Sequence, residues 1–362
     1  MPTDENPGER FAHTFGAPDE GDQLARLYAL SDVVTPFAVR VVATLRIPDL
    51  LDGGSAPADD LAARTGAEPD ALRRVLRHLV TRGITAEPEP GVFAMTPLGK
   101  LLGTGHASRL RDWLDLRGGL GRSDQAFSGL LDSVLTGRPA FDGLFGRDFW
   151  QDLAAEPERG AAFAALMSTQ LRVVADEVAK AYAWDGVTHV VDVGGGNGRQ
   201  LATILQAHPK LRGTLLDLPA TTAQAAPVLA EAGVTDRVGV HPGSFFDPLP
   251  CGADLYLLSR VLHDWNDEKA AEILQRCAQA LGDTGKLLIV EPVLDDEEVA
   301  YPRTDVDLRM LVTLGGRERS LADFTALTAA AGLRAVTVGR TPSGRQLIEC
   351  SPDLAATPAP AK

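Results

Sequence analysis

Cysteine is scarce in this chain of 362 residues: Cys251, Cys277 and Cys350 are its only three. They form no CxxC pair and are odd in number, which argues against a disulfide scaffold or zinc site and suits a reducing cytoplasm. Positive charge is also in deficit, with 35 Lys+Arg against 49 Asp+Glu and a formal net charge of −14. Such a surface repels phosphate on average, so nonspecific binding to nucleic acid or an anionic membrane is disfavoured. The N-terminal MPTDENPGE lacks the cationic start and apolar run of a signal peptide. No run of about 20 apolar residues is expected to span a bilayer.

What is present fits a globular chain, with 44% hydrophobic and 23% charged residues. At roughly 150 residues per domain, the length suggests about two domains. Residues 1–20 and 353–362 read as tails rich in acid, Pro or Ala, with little to bury. Leu24, Leu27 and Tyr28, then Val34, Phe37, Ala38 and Val41, fall on helical spacing. Pro36 is expected to break or kink that run. Such helices pack either on a partner subunit or on their own domain.

Next comes a short helix, Asp59–Thr65, and a second, Ala71–Arg82, with Leu72, Val75, Leu76 and Leu79 on its core face. A hairpin follows over Ile84–Glu87 and Val92–Thr96, and the whole reads as a winged helix. Arg73, Arg74 and Arg77 either form a DNA-recognition face or are a solvated, ion-paired one. Residues 109–182 read as helical, with aromatic clusters. From about 187, short apolar strands alternate with helices, which implies a parallel sheet covered on both faces.

The most informative stretch is Val190-Val191-Asp192-Val193-Gly194-Gly195-Gly196-Asn197-Gly198-Arg199, between a strand and a helix. A dinucleotide fingerprint would place glycine or alanine where Arg199 stands. An acid two residues before the first glycine suits a ligand with an ammonium group better than a pyrophosphate. The pattern is that of class I S-adenosylmethionine (SAM) methyltransferases. Asp217, at the end of the second strand, is positioned to accept both ribose hydroxyl protons.

Six motifs carry a resemblance over about residues 22–350: VVDVGGGNG (190–198), LLDLP (215–219), GSFFDPLP (243–250), LLSRVLHDW (257–265), KLLIVEPVL (286–294) and DLRMLVTLGGRERS (307–320). With them the chain resembles the dimeric small-molecule O-methyltransferases of the plant caffeate and flavonoid type. It is most similar to actinobacterial members that act on aromatic polyketides such as anthracyclines, in antibiotic biosynthesis.

The resemblance implies an α/β fold: a Rossmann-like class I methyltransferase domain over 183–352. An N-terminal, mostly helical winged-helix dimerisation domain spans 21–108, and a helical linker and acceptor-pocket region spans 109–182. It implies a homodimer, SAM as cofactor, an aromatic acceptor, and neither nucleic acid nor membrane as partner. It gives His263 as general base with Glu291 and Glu318 flanking it. It gives Asp192, Gly194, Gly196, Asp217, Leu218, Gly243, Ser244, Phe245, Ser259 and Arg260 as cofactor contacts. Phe149, Trp150, Met167, Asp264, Met310 and Leu314 are its candidates for the acceptor pocket.

Two positions depart from the family. Ser244 stands where an Asp commonly meets the adenine amino group. Ser259-Arg260 replaces Lys-Trp, and Arg260 faces either the acceptor or solvent. Asp295-Asp296-Glu297-Glu298 reads as a solvated acidic loop, and no metal is expected. Relatives that keep SAM but hydroxylate lack the histidine, so His263 favours methylation. A winged-helix DNA-binding regulator is the rival of a different class.

Overall fold

A computed structural model describes residues 20–294 and 304–353, with no side-chain description at 170 and 171. The acidic loop at 295–298 therefore lies outside the described residues. The chain divides into two compact units, Met1–Gly121 and Arg122–Lys362. The border expected at 108 falls inside the first.

The N-terminal unit opens with α1 (Gly21–Leu30) and α2 (Val34–Thr44). The break between them comes ahead of Pro36 rather than at it. Pro36 occupies the first turn of α2, where its missing N–H loses no intrahelical bond. Asp32 accepts hydrogen bonds there from the N–H groups of Val34 (2.8 Å) and Thr35 (3.3 Å). The expectation that no run is long and apolar enough to cross a membrane needs correction. Gly21–Thr44 meets that test by length and composition, although it is two helices and keeps Asp22, Arg26, Asp32 and Arg40.

A short α3 (Ile47–Leu50) leads to β1 (Ser55–Pro57), a strand with no sequence signal. Then come α4 (Ala58–Thr65), α5 (Pro69–Val80), β2 (Thr85–Glu89) and β3 (Val92–Met95), the sheet having the order β1-β3-β2. Glu68 caps α5 by accepting from the N–H groups of Asp70 and Ala71, and Pro69 takes the first helical position. Its apolar stripe buries Leu72, Leu76 and Leu79 with Leu61 and Phe93. Each such leucine contributes about 2 kcal/mol. Arg73 pairs with Asp59 (2.7 Å) and Arg77 forks onto Glu87 (3.0 Å at closest). Two of the three candidate DNA-reading arginines are thus engaged within the unit.

The C-terminal unit contains α6 (Ala140–Phe145), α7 (Phe149–Ala155) and the long α8 (Pro157–Ala181). Its sheet comprises β4 (His189–Val193), β5 (Arg212–Asp217), β6 (Val238–Pro242), β7 (Leu255–Ser259), β8 (Lys286–Glu291), β9 (Leu333–Arg340) and β10 (Gln346–Pro352). The order is β6-β5-β4-β7-β8-β10-β9. The first five strands are parallel, and β10 inserts antiparallel between β8 and the edge strand β9. The helices α9 (Arg199–Ala207), α10 (Asp267–Leu281), α11 (Thr304–Leu314) and α12 (Leu321–Ala330) complete the described unit together with shorter ones.

The helix between β5 and β6 is split into Pro219–Thr222 and Ala225–Glu231. Pro227 explains the split: in a continuous helix its ring would meet the carbonyl four residues earlier. Successive residues of β4 point to opposite faces, Val190 into one core and Val191 into the other, as a sheet covered on both sides requires. A separate aromatic cluster gathers Phe141, Phe149, Trp150, Phe163 and Leu314. Beside it the fully buried carboxylate of Asp152 receives Arg122, Arg147 and Arg159, each at 2.8 Å.

Replacing Leu76 by Ala in the N-terminal core is expected to lower stability by about 3 kcal/mol. Urea unfolding measures it, and a loss under about 1 kcal/mol would contradict the packing described.

Candidate active site

The carboxyl ends of the parallel strands carry the polar groups, which is where open α/β sheets bind ligands. Asp192 lies near the end of β4, Asp217 ends β5, Ser259 ends β7 and Glu291 ends β8. After β4 the chain turns back at Gly194 (φ +73°), whose N–H donates to the carbonyl of Leu216 (2.8 Å). A Cβ at Gly194 would lie 2.8 Å from Cγ2 of Val261, so only glycine permits this approach. The glycine loop therefore abuts the turn that carries His263.

Asp217 is tied into the same loop. Its Oδ2 accepts from the N–H of Gly196 (2.8 Å) and its Oδ1 from the N–H of Leu218 (2.7 Å). Its carbonyl accepts from Gly243 (3.0 Å). Ser244 accepts from the N–H of Phe246 (3.2 Å), which leaves its own O–H to donate elsewhere. Phe245 packs edge-on against Phe246 and Trp265, which makes Trp265 part of the core rather than of the chemistry.

Three buried acceptors in this region have no partner: Oδ2 of Asp192, Oγ of Ser259 and Oε2 of Glu291. They sit on the adjacent strands β4, β7 and β8. An unsatisfied buried polar atom costs about 1–3 kcal/mol, so the row is suited to a ligand that donates hydrogen bonds or carries positive charge. Burial and the neighbouring Asp217 push the Asp192 carboxyl up to about 7. Burial raises Asp217 as well.

His263 is buried in a single 3₁₀ turn, Leu262–Asp264. Its Nδ1–H donates to Oε1 of Glu318 (2.9 Å), and its Nε2 lies 3.4 Å from Oδ1 of Asp264. A carboxylate on Nδ1 fixes the tautomer that leaves Nε2 free to take a proton. Glu318 is itself held by its N–H, which donates to Asp307 (2.8 Å).

The residues expected to flank the ring are not equivalent. Glu291 makes no hydrogen bond to His263. Its Oε1 accepts from the N–H groups of Val261 (2.9 Å) and Leu262 (3.0 Å). The end of β8 faces the backbone of the turn, while Glu318 already occupies Nδ1. Arg260 adopts a left-handed backbone (φ +57°), strained for a bulky side chain, and its N–H donates to Val290 (3.2 Å).

Burial alone would lower the His263 pKa. The negative charges of Glu291 and Asp264 and the bond to Glu318 outweigh it and raise the imidazole to about 9. Burial pushes Glu291 up to about 7, against the opposing pull of His263. Both groups hold protons more tightly folded than unfolded. Their stabilisation is therefore complete at low pH and declines as pH rises, through about 7 for Glu291 and about 9 for His263.

Among the acceptor-pocket candidates, the structure brings Phe149, Trp150 and Leu314 into one cluster, and Asp264 to His263. Phe149 packs edge-on against Trp150 and Phe163, both at 5.3 Å. Met167 and Met310 are half-buried on α8 and α11 and do not join that cluster. Sequence reasoning missed Asp307, Arg319 and the arginines around Asp152. None of them stands at a diagnostic spacing.

Known sequences settle the family. The O-methyltransferase domain model matches residues 127–334. The chain belongs to the O-methyltransferase family. The O-methyltransferase dimerisation domain model matches residues 28–105. The 2,7-dihydroxy-5-methyl-1-naphthoate 7-O-methyltransferase of Streptomyces carzinostaticus is 45% identical over 307 residues, covering 85% of this chain and 92% of that one. Aclacinomycin 10-hydroxylase RdmB of Streptomyces purpurascens is 44% identical over 320 residues, 87% of this chain and 86% of that one. Among solved structures, the neocarzinostatin O-methyltransferase NcsB1 with S-adenosyl-L-homocysteine (SAH) and 1,4-dihydroxy-2-naphthoic acid superposes with a TM-score of 0.85. It is 43% identical, over 90% of this O-methyltransferase and 98% of NcsB1.

The Glu318→Gln variant removes one of the anions around the ring, which lowers the imidazole pKa. His263 should then titrate at a lower pH than in the native protein, where it titrates near 9. Ring ¹⁵N NMR across pH 5 to 10 follows this. An unmoved titration would exclude Glu318 as the partner of Nδ1.

Proposed function

We propose that this O-methyltransferase methylates a phenolic hydroxyl of a polycyclic aromatic natural product, with SAM as methyl donor and His263 as general base. The observation that carries the reading is the Glu318–His263 pair beside the glycine loop. SAM, when bound, supplies the electrophilic methyl group. The three unpartnered acceptors and the Asp217 carboxylate fit a cationic, hydroxyl-bearing cofactor.

A phenol has a pKa near 10 and is a weak nucleophile at neutral pH. In its neutral form, which gains population as pH rises toward about 9, Nε2 of His263 takes the phenolic proton as the oxygen attacks. Glu318 holds the ring and stabilises the imidazolium that forms. Glu291 keeps the turn in place through two backbone bonds. Phe149, Trp150 and Leu314 supply an apolar wall suited to a flat acceptor. The naphthoate and anthracycline relatives support an acceptor of that class, and a reducing cytoplasm suits the three free cysteines.

The hydroxylase relative favours one second reading, oxygen insertion on the same scaffold. A mass-spectrometric screen of hydroxynaphthoates and anthracyclines with SAM separates the two. Methylation adds one CH₂ and yields SAH, whereas hydroxylation adds one oxygen. His263→Ala should lower kcat by at least about 10²-fold. Undiminished turnover would rule His263 out as the base.

The protein is further proposed to act as a homodimer through its N-terminal unit. Leu27 and Leu30 are 63% and 76% exposed on α1, and Val33, Val34 and Phe37 continue the apolar face. Leu27→Asp/Leu30→Asp should yield a monomer by light scattering after gel filtration. A dimer that persists would place the interface elsewhere.

A further inference from the structure

The groups needed for the proposed proton transfer come from three separate segments. His263 lies in the turn after β7, Glu291 at the end of β8, and Glu318 in the stretch after α11. Arg319 touches all three. It is the largest fully buried side chain among the described residues. Its Nη1 donates to the carbonyl of Leu262 (2.6 Å) and its Nη2 to the carbonyl of Trp265 (2.8 Å). The guanidinium thus grips the His263 turn on both sides of the histidine. Nε and Nη2 also donate to Oδ1 of Asp267 (3.0 and 2.8 Å), in the first turn of α10.

The backbone of Arg319 completes the junction. It pairs in parallel with Val293, and its carbonyl accepts from the N–H of Leu294 (3.0 Å). The bridge begins two residues beyond Glu291. The N–H of Arg317 donates to the carbonyl of His263 (3.0 Å). A Cβ at Gly316 would stand 2.2 Å from that same oxygen, so the segment lies flat against the back of the turn. Glu318 is carried between these anchors.

Arginine keeps its proton when buried, so the desolvation penalty of this site is not relieved by neutralisation. Its ion-pair partner Asp267 is exposed to solvent, so the pair adds little stability of its own. What the planar fork supplies is fixed geometry. We propose that Arg319 is a positioning residue, locking the His263 turn, the Glu318 segment and the end of β8 into one register. It thereby sets the contact between Nδ1 and Glu318 and the aim of Nε2. The proposal rests on reading His263 as the base.

The test uses the full-length protein with Arg319→Ala, Arg319→Lys, Asp267→Asn and His263→Ala, and SAH as the binding probe. In Arg319→Ala the His263 titration, read by ring ¹⁵N NMR, should fall as in Glu318→Gln. Added guanidinium ion should move it back. SAH affinity should change less than about threefold, and with an acceptor found in the screen kcat should drop about 10²-fold. Arg319→Lys keeps the charge without the fork and should not restore the titration. Asp267→Asn weakens one anchor by removing its charge and should give a smaller shift in the same direction, which carries the test if Arg319→Ala does not fold. A native titration in Arg319→Ala or Asp267→Asn overturns the proposal, as does a parallel loss of kcat, SAH affinity and thermal stability. Retained turnover in His263→Ala overturns the base reading instead, and leaves the positional result standing.

Discussion

A buried imidazole ringed by carboxylates is the interaction on which the rest of this site depends. Glu318 touches one ring nitrogen, Asp264 approaches the other, and Glu291 stands behind the turn. Charges out of water repel without much screening, so such a cluster persists only when protons and fixed hydrogen bonds offset the repulsion. The protein uses both. Protons are held more tightly than in water, two turn N–H groups donate to Oε1 of Glu291, and one arginine fork holds the backbone of the turn. The strained backbone at Arg260 is held by the bond from its N–H to the carbonyl of Val290 on β8.

The parallel sheet, its covering helices and the winged-helix hairpin were legible from the sequence because each has a strong local period. The glycine loop and Leu262-His263-Asp264-Trp265 were legible because their residue types are demanded by chemistry. Other features were not. Three-residue β1 is too short to show alternation. The broken helix around Ala223 depends on where Pro227 falls relative to a carbonyl. The bonds of Glu291 escaped because motif reading pairs side chains with side chains, whereas its partners are backbone groups. Arg319 escaped for a similar reason: two of its acceptors are carbonyls, and every residue has one.

The proposed cofactor half of the site follows a different logic from the proposed base. There the protein leaves acceptors empty rather than filling them. Oδ2 of Asp192 and Oγ of Ser259 lack partners on neighbouring strands, and a donor-rich ligand gains what the free protein forgoes. Such a ligand binds the folded chain only, so occupancy adds to global stability by mass action. The overall acidity of the chain contributes little here, because two or three placed carboxylates outweigh a diffuse field at contact distance.

The aromatic wall has a consequence of its own. Phe141, Phe149, Trp150 and Phe163 lie on helices that precede the sheet and are joined by Val312 and Leu314 of α11, whereas every proposed acid–base group lies at or beyond the ends of β7 and β8. The proposed shape selection and proton handling therefore reside largely on separate stretches of chain. A lineage built this way is able to re-carve its pocket for a new ring system while its chemistry stays intact. It is equally able to alter the chemistry around an unchanged pocket. A scaffold divided along that line accommodates a methyltransferase and a hydroxylase as relatives of nearly equal identity to the same chain.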